Sequence, residues 1–587
     1  MRKNDSEDYS LRSENFMIKR KLRFNSLRNA EFIWGNKRKR VPIKESESEQ
    51  SRRKNKEVTV EAFVKKMRDY DVISFDVFDT LIFRPFAKPT DMFYLVGEKI
   101  GMQDFRSIRI RSELNARHKC KAKNGHTEID LKDIWENLAE NTGIDAADGM
   151  RIEWETELQL CYANPFMLEV WKKLTEMGKK IIIISDMYLS TEQIRNLIEK
   201  NGFKGADRIY VSSDYKKSKA DGKLYKLVKM DLSKERGLLK ILHVGDNPLS
   251  DVINAKKAGL DSLLYPNINR AERMYRTYDM SSIVGSAYRA IINANIYNGL
   301  KIRSMEYECG FIYGGLFVLG YCNFIHDYYV KEKLDKLLFL ARKGDALFKS
   351  YKMHYPEDNA EYVYLSKRDS VQNFNNEQIA AAERYYWQTL NGCKKAAVVD
   401  VEWAGSGMEP LNRLINETSE IPCNLYEIIA GTNTLYHTES DASEVLVQSE
   451  RLISYMYFQR QGRDILKKRY SAKGYSIFWE LLLSSDAPQF VGFCENDHRE
   501  GKDDIYVEEA DITLKFGKRD VSLYGVAEIQ QGIMDFVRIY TDYFGKYHHM
   551  MSISRRDAYA PIIAATSGNE KYLHVMEKKL EPKTNLV

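Results

Sequence analysis

The chain has 587 residues, of which 43% are hydrophobic and 30% charged. That length is several times a single domain and excludes a lone small module, while the balance excludes both a wholly disordered chain and a multi-span membrane protein. The net charge of +6 is unevenly spread, because residues 1–56 hold 17 Lys and Arg against 8 Asp and Glu, so the rest of the chain sums to −3.

Residues 1–56 are therefore expected to be a basic, solvated and largely disordered tail. Its densest run, Lys37, Arg38, Lys39 and Arg40, is suited to an anionic surface, with no specific nucleic-acid partner implied. The first residues lack the apolar stretch and small-residue cleavage site of a secretory signal, so none is expected. The seven cysteines, at 120, 161, 309, 322, 393, 423 and 494, contain no CxxC pair. They argue against a disulfide framework or a zinc ribbon and for a reducing, cytoplasmic setting.

A first core begins near Val58, where a helical stretch runs into the apolar strand "DVISFD". Further strands are predicted in "KIIIISD", "RIYVSS", "LKILHVGD" and "DSLLY", with helices between them, which implies a doubly wound parallel sheet spanning about 57–275. More than ninety residues separate the first two strands, too many for a plain crossover. The helical patterns at about 86–165 read as an insertion beside the carboxyl edge of the sheet, placed to cap a site there. Its Trp154, Glu155 and Glu157 share a helical face and are assigned to packing and solvation.

Residues 276–335 read as a helical linker. The run "GFIYGGLFVLGYCNFI" at 310–325 is short of a spanning length and is expected to be a buried helix rather than a membrane segment. A second α/β core, Rossmann-like, is predicted at 336–450 from "KLLFLAR", "EYVYLSK", "KAAVVDVEWAGSG" and "LYEIIAGT". Residues 451–587 read as mixed and mainly helical.

Four polar elements of the first core recur at strand ends or close beyond them. They are Asp76, Asp79 and Thr80 in "SFDVFDTL", Ser185 closing "KIIIIS", Lys219 in "SKADG", and Asp246 and Asp251 in "HVGDNPLSD". In a parallel sheet all carboxyl ends open on one edge, so these residues can converge. Three carboxylates in a partly dry cleft repel one another, and a hard, oxygen-ligated cation such as Mg²⁺ resolves the repulsion. An anionic phosphoryl group could then approach Asp76 while Lys219 offsets its charge, which is phosphoryl chemistry with a carboxylate nucleophile.

These motifs resemble those of the haloacid dehalogenase (HAD) superfamily, and the insertion resembles its C1 cap. The resemblance covers about 58–275. It implies Asp76 as nucleophile and metal ligand, Thr80 supporting the phosphoryl loop, and Ser185 and Lys219 holding the transferring group. It further implies a Mg²⁺ site made by Asp76, the backbone carbonyl of Phe78, Asp246 and Asp251. One position departs from the pattern: where the superfamily's phosphatases carry a second aspartate as general acid and base, this chain has Phe78. That implies weak or altered turnover. Asp79 is a candidate substitute at unfavourable spacing. Dehalogenases of the superfamily also have an aromatic there, but they need no metal, and both Asp246 and Asp251 are kept. Asp186, directly after the strand, is read as the cap of the following helix.

In the second core, Asp400 and Glu402 precede a loop with Gly405, Ser406 and Gly407, a weak candidate for a phosphate-binding turn. Arg342, Lys343, Gly344 and Asp345 follow another strand, and the pair is loosely similar to phosphoribosyltransferases. The whole resembles large bacterial HAD-like proteins associated with surface-polysaccharide biosynthesis. The expected function is a Mg²⁺-dependent hydrolase of a small phosphorylated metabolite, such as a sugar phosphate. The alternatives are a non-hydrolytic HAD scaffold, or glycosyl or phosphoribosyl transfer by the second core.

Overall fold

The architecture is that of a computed structural model, which describes residues 59–236, 239–270, 280–298, 303–341, 343–365, 375–401, 411, 423–433, 445–446, 448–458, 482–483, 485–494, 505–509, 512–517 and 525–566. The expectations for residues 1–56, Arg342, Glu402, Gly405, Ser406 and Gly407 lie outside the described residues.

Helix α1 (Val60–Lys65) opens on a Thr59 cap and leads into strand β1 (Val72–Phe75), every residue of which is buried. Two short antiparallel strands, β2 (Ile82–Phe83) and β3 (Tyr162–Ala163), carry the chain out of this core and back. Between them lie helices α2 (Met92–Ile100), α3 (Phe105–Asn124), α4 (Leu131–Thr142) and α5 (Ala146–Leu160). Helix α4 starts on a reciprocal capping box of Asp130 and Asp133, two backbone donors satisfied by two side chains. After α6 (Pro165–Glu176) come β4 (Lys180–Ser185), α7 (Thr191–Lys200), β5 (Arg208–Val211), α8 (Lys223–Arg236), β6 (Ile241–Gly245) and β7 (Asp261–Leu264).

The five long strands form one parallel sheet in the order β5-β4-β1-β6-β7. Alternate residues of its apolar strands serve two cores. Ile73, Phe75, Ile181 and Ile183 pack with Trp171 and Leu197 on one face, while Val72, Ile182 and Ile184 pack with Leu224 and Val228 on the other. A strand covered on both faces is largely apolar, and this explains why β1, β4, β5 and β6 were readable as runs rather than as alternation, whereas β7, at the sheet's edge, is only partly buried. The chain winds outward from β1 through β4 to β5 and then returns to place β6 on the other side of β1. The sheet therefore reverses direction between β1 and β6.

A second parallel sheet has the order β12-β11-β10-β8-β9, formed by β8 (Lys336–Leu340), β9 (Ala360–Val363), β10 (Lys395–Asp400), β11 (Asn424–Asn433) and β12 (Leu452–Phe458). Four of these are the predicted strands. The fifth, β12 ("LISYMYF"), lies beyond residue 450, in the stretch read as mixed and mainly helical. A three-stranded antiparallel sheet of β13 (Phe490–Cys494), β14 (Ile505–Glu509) and β15 (Ile512–Phe516) shares a core with the second sheet and with Tyr385 and Tyr386.

The stretch read as a linker holds helix α9 (Ser282–Ile296) and a 28-residue helix, α10 (Met305–Glu332), which alone among the described residues is long and apolar enough to cross a membrane. Its most apolar window is 89% buried inside the protein. Rather than joining two cores, α10 sits within one, against the second sheet and α12 (Val526–Phe544). The glycines of its apolar run permit this contact. A side chain at Gly310 would collide with the Ile529 carbonyl, and one at Gly532 with the Tyr307 carbonyl, so the two backbones approach only because both Cβ atoms are missing.

Candidate active site

Register sets the site. Phe75 at the end of β1 is level with Ile183 of β4 and Val244 of β6. Asp76 extends the ladder by donating its N–H to the Val244 carbonyl at 2.9 Å. Ser185 and Asp246 stand two positions further along the flanking strands, so the three open on the same carboxyl edge. Asp76 and Asp246 flank the point where the winding reverses, which is where an open α/β sheet leaves a crevice.

The structure brings together Asp76, Asp246 and Asp251, one carboxylate oxygen from each lying within 4.8 Å of the others. Lys219 reaches in from the loop before α8, its Nζ 2.6 Å from Asp76 Oδ1 and 2.7 Å from Asp251 Oδ1. All four residues are at least nine-tenths buried. Of the three neighbouring lysines, Lys216 is exposed and Lys217 half-buried, which leaves Lys219 as the one in the cluster. Ser185 is buried at the end of β4. Thr80 is fully buried on the loop after Asp76, and its Oγ1 has no hydrogen-bond partner.

Electrostatics divides the carboxylates. Burial, reinforced by the charges of Asp251 and Asp246, lifts Asp76 to about 7 against the pull of Lys219. Burial acts on Asp251 as well, but Lys219 and His243 hold it well below the usual carboxylate range. Asp251 also accepts the Asn247 N–H at 2.9 Å, so its charged form is the better supported of the two. Asp246 is raised by burial, opposed by the Asn267 amide, which donates to its Oδ2 at 2.7 Å. For Lys219 the two carboxylates outweigh burial and hold the ammonium charged.

Asp186 does not cap the next helix, as its position after β4 suggests. Ser190 does that, with Gln193 completing a capping box. Asp186 instead accepts the backbone N–H groups of Lys219, at 2.7 and 3.0 Å, and of Ala220, at 3.1 Å, and so pins the lysine loop to the end of β4. Glu157 likewise is not a solvated face residue, for it is buried and bonded to Arg84, Nε to Oε1 at 2.6 Å. Trp154 is half-buried and Glu155 exposed.

Two supporting residues, His243 and Asn164, carried no signal that singled them out in the sequence. His243, in the buried strand β6, lies 2.8 Å by Nδ1 from Ser74 Oγ and 3.4 Å by Nε2 from Asp251 Oδ1. It reads as a lone imidazole in an apolar run. Fully buried Asn164 donates to the Thr80 carbonyl at 2.7 Å and accepts from Asn298 at 2.9 Å, tying the loop after Asp76 to a residue beyond α9. No local pattern marks a contact across 134 residues.

On the loop itself the backbone turns sharply at Asp79, whose φ is 56°. Asp79 is half-buried, and its charge contributes to the raising of Asp246. Phe78, two residues beyond Asp76, lies under the Arg84 guanidinium, with Cζ 3.9 Å from the ring centroid. In the second sheet Asp400 is buried at the end of β10, while Lys343 and Asp345 follow β8.

The donor set consists of hard oxygens, which suits Mg²⁺ or another oxygen-seeking divalent ion better than a thiophilic metal. Among the described residues no other group of three His, Cys, Asp or Glu ligand atoms comes together in this way.

No family model matches the chain, and no curated protein matches it. Solved structures do. A 2-haloacid dehalogenase from Pseudomonas syringae pv. Tomato is 14% identical, with 35% of this chain and 89% of that one covered and a TM-score of 0.27. A HAD-hydrolase of Bacillus subtilis bound to magnesium is 16% identical, with coverage of 34% and 91% and a TM-score of 0.26. A HAD phosphatase from Thermococcus onnurineus is 16% identical, with coverage of 35% and 89% and a TM-score of 0.25.

Proposed function

We propose that the chain is a phosphoryl-transfer hydrolase of the HAD type, acting in the cytoplasm on a small phosphorylated metabolite through an aspartyl-phosphate on Asp76. The observation that carries this reading is the meeting of three buried carboxylates and one lysine ammonium at the reversal point of the parallel sheet.

Asp76, Asp246 and Asp251, with the carbonyl of Phe78, would hold Mg²⁺, which when bound draws charge from the phosphoryl oxygens and cancels the repulsion among the carboxylates. With its anionic form restored, Asp76 is the nucleophile. The Lys219 ammonium, aimed at the same oxygen, offsets the charge of the incoming group, and Ser185 at the neighbouring strand end donates to it. Thr80, with its hydroxyl unengaged, supports the loop that receives the group. The helical insertion α2–α5 serves as a cap that excludes water and selects the leaving group. A sugar phosphate of glycan assembly is the substrate that the likeness to large two-part bacterial proteins implies.

The test is phosphate release from a panel of sugar phosphates and nucleotides, with Mg²⁺ and with chelator, for the parent and for Asp76→Asn. Release that needs Mg²⁺ and vanishes in the variant supports the reading. Release from no compound removes it.

A further inference from the structure

A lid that opens over a crevice bends where its chain leaves and rejoins the body, and elements that move hold few buried apolar contacts. The helical insertion α2–α5 has two such crossings, residues 83–91 and 160–164. Neither is free to bend, for Phe83, Phe86, Leu160 and Asn164 are all buried.

What covers the crossings comes from beyond the first sheet. Phe83 packs with Ile268 and with Ala294 of α9. The Ala87 N–H donates to the Ser286 carbonyl at 3.1 Å, and the Lys88 N–H donates to the Ser286 hydroxyl at 3.3 Å. At the end of α12, Phe544 meets Phe86 with ring centroids 5.3 Å apart, and Tyr543 meets Tyr162 at 5.0 Å. Helix α2 divides its faces accordingly. Phe93 and Val96 belong to the core of the first sheet, while Met92 and Leu95 share the other core with Phe536, Tyr540 and Phe544 of α12. Near the end of α2, Glu98 Oε1 is 2.5 Å from His549 Nε2, and Lys99 Nζ lies 5.6 Å from the centroid of the Tyr547 ring. A swing about the crossings would break these contacts and wet their rings, which the hydrophobic effect opposes.

We infer that the insertion is a fixed wall of the active site, held there by the end of α12, with Tyr543 and Phe544 as positioning residues for the reaction at Asp76. The positioning role rests on the phosphoryl-transfer reading given above, whereas the anchoring does not. A small phosphorylated substrate then enters beside the wall, and selection follows from what fits beneath it rather than from what a closing lid encloses. The C-terminal part of the chain thus completes a site whose polar residues all lie in the first sheet.

Two measurements test this. Hydrogen exchange compares the parent with Tyr543→Leu, Phe544→Leu and the conservative Tyr543→Phe. In the two Leu variants the amides of α2 and α5 should exchange at least about tenfold faster while those of β4 and β6 keep the parent's rates, and Tyr543→Phe should match the parent. Unaltered protection of α2 in both Leu variants overturns the anchoring. The second measurement joins Glu98→Cys to His549→Cys, at two exposed positions, with a short bis-maleimide, the parent treated alike serving as control for its other cysteines. Phosphate release from acetyl phosphate and glucose 6-phosphate with Mg²⁺ should survive the tether to within about twofold, since no opening is required. Loss of release on tethering means that the insertion must leave α12 in turnover, and it overturns the inference even where the Leu variants fail to fold. For the Leu variants kcat/KM should fall by about 10- to 10²-fold for glucose 6-phosphate and much less for acetyl phosphate, whose leaving group is small. Equal losses for the two overturn the positioning role. Release of phosphate from neither compound by the parent counts against the phosphoryl-transfer reading and the positioning role together, and the exchange rates still decide the anchoring.

Discussion

Lys219 Nζ stands 2.6 Å from Asp76 Oδ1, an ammonium and a carboxylate 143 residues apart in sequence and both almost wholly buried. The same ammonium lies 2.7 Å from Asp251, so one cation serves two carboxylates. Lys219→Met leaves buried charges without a counter-ion, and removing one partner of such a pair costs about 3–5 kcal/mol. Urea unfolding in chelator should show a loss of that order, partly recovered in Mg²⁺ as the divalent ion takes over the screening of Asp76 and Asp251. A loss that Mg²⁺ leaves untouched would mean that the carboxylates do not share an ion site.

Arg84 and Glu157 form a second buried pair, joining the start of the helical insertion to its last helix. Arg84→Met alone is expected to cost about 3–5 kcal/mol because it strands the Glu157 carboxylate. The double change Arg84→Met with Glu157→Leu should cost clearly less than the sum of the single changes, as coupled partners do not add. Equilibrium unfolding of the three variants checks this, and additive costs would contradict the pairing.

His354, in the last turn of α11 (Asp345–His354), has its Nδ1 2.7 Å from Thr541 Oγ1. Burial, with His548 and His326 nearby, lowers it to about 4. Its folded-state value lies below the unfolded 6.5, so the unfolded chain binds the extra proton between about pH 6.5 and 4. The stability it contributes is therefore complete above about 6.5 and is lost as pH falls toward 4. Between pH 7.5 and 5 this amounts to about 2 kcal/mol, at about 1.36 kcal/mol per unit. Urea midpoints at the two pH values should differ accordingly, and His354→Gln, which keeps a partner for Thr541, should remove most of that difference. An unaltered pH dependence in the variant would assign the acid sensitivity elsewhere.

Much of the first sheet was legible because a strand buried on both faces must be apolar throughout, and such runs stand out between helical periods. Asp76, Ser185 and Asp246 were legible for the same reason: a polar residue that ends an apolar run marks the strand's carboxyl end. What escaped the sequence were contacts made across the fold. Nothing near Asp186 shows that its carboxylate holds the backbone of Lys219, 33 residues away, and nothing near Phe78 shows that Arg84 will lie on its ring. Glu157 reads as a solvated helix residue until the fold brings Arg84 beneath it. Strand β12 is an apolar and aromatic run interrupted only by Ser454, and it lies in a stretch read as mainly helical, while the antiparallel sheet was hidden by the polar segments around it. The second core's candidate phosphate loop, Gly405 to Gly407, falls outside the described residues.

Calorimetric titration of Mg²⁺ into the parent and into Asp246→Asn tests most directly whether a divalent ion binds among Asp76, Asp246 and Asp251. One ion per chain in the parent, with affinity reduced at least about tenfold in the variant, is the predicted result. Equal binding by both proteins, or none by the parent, would contradict it.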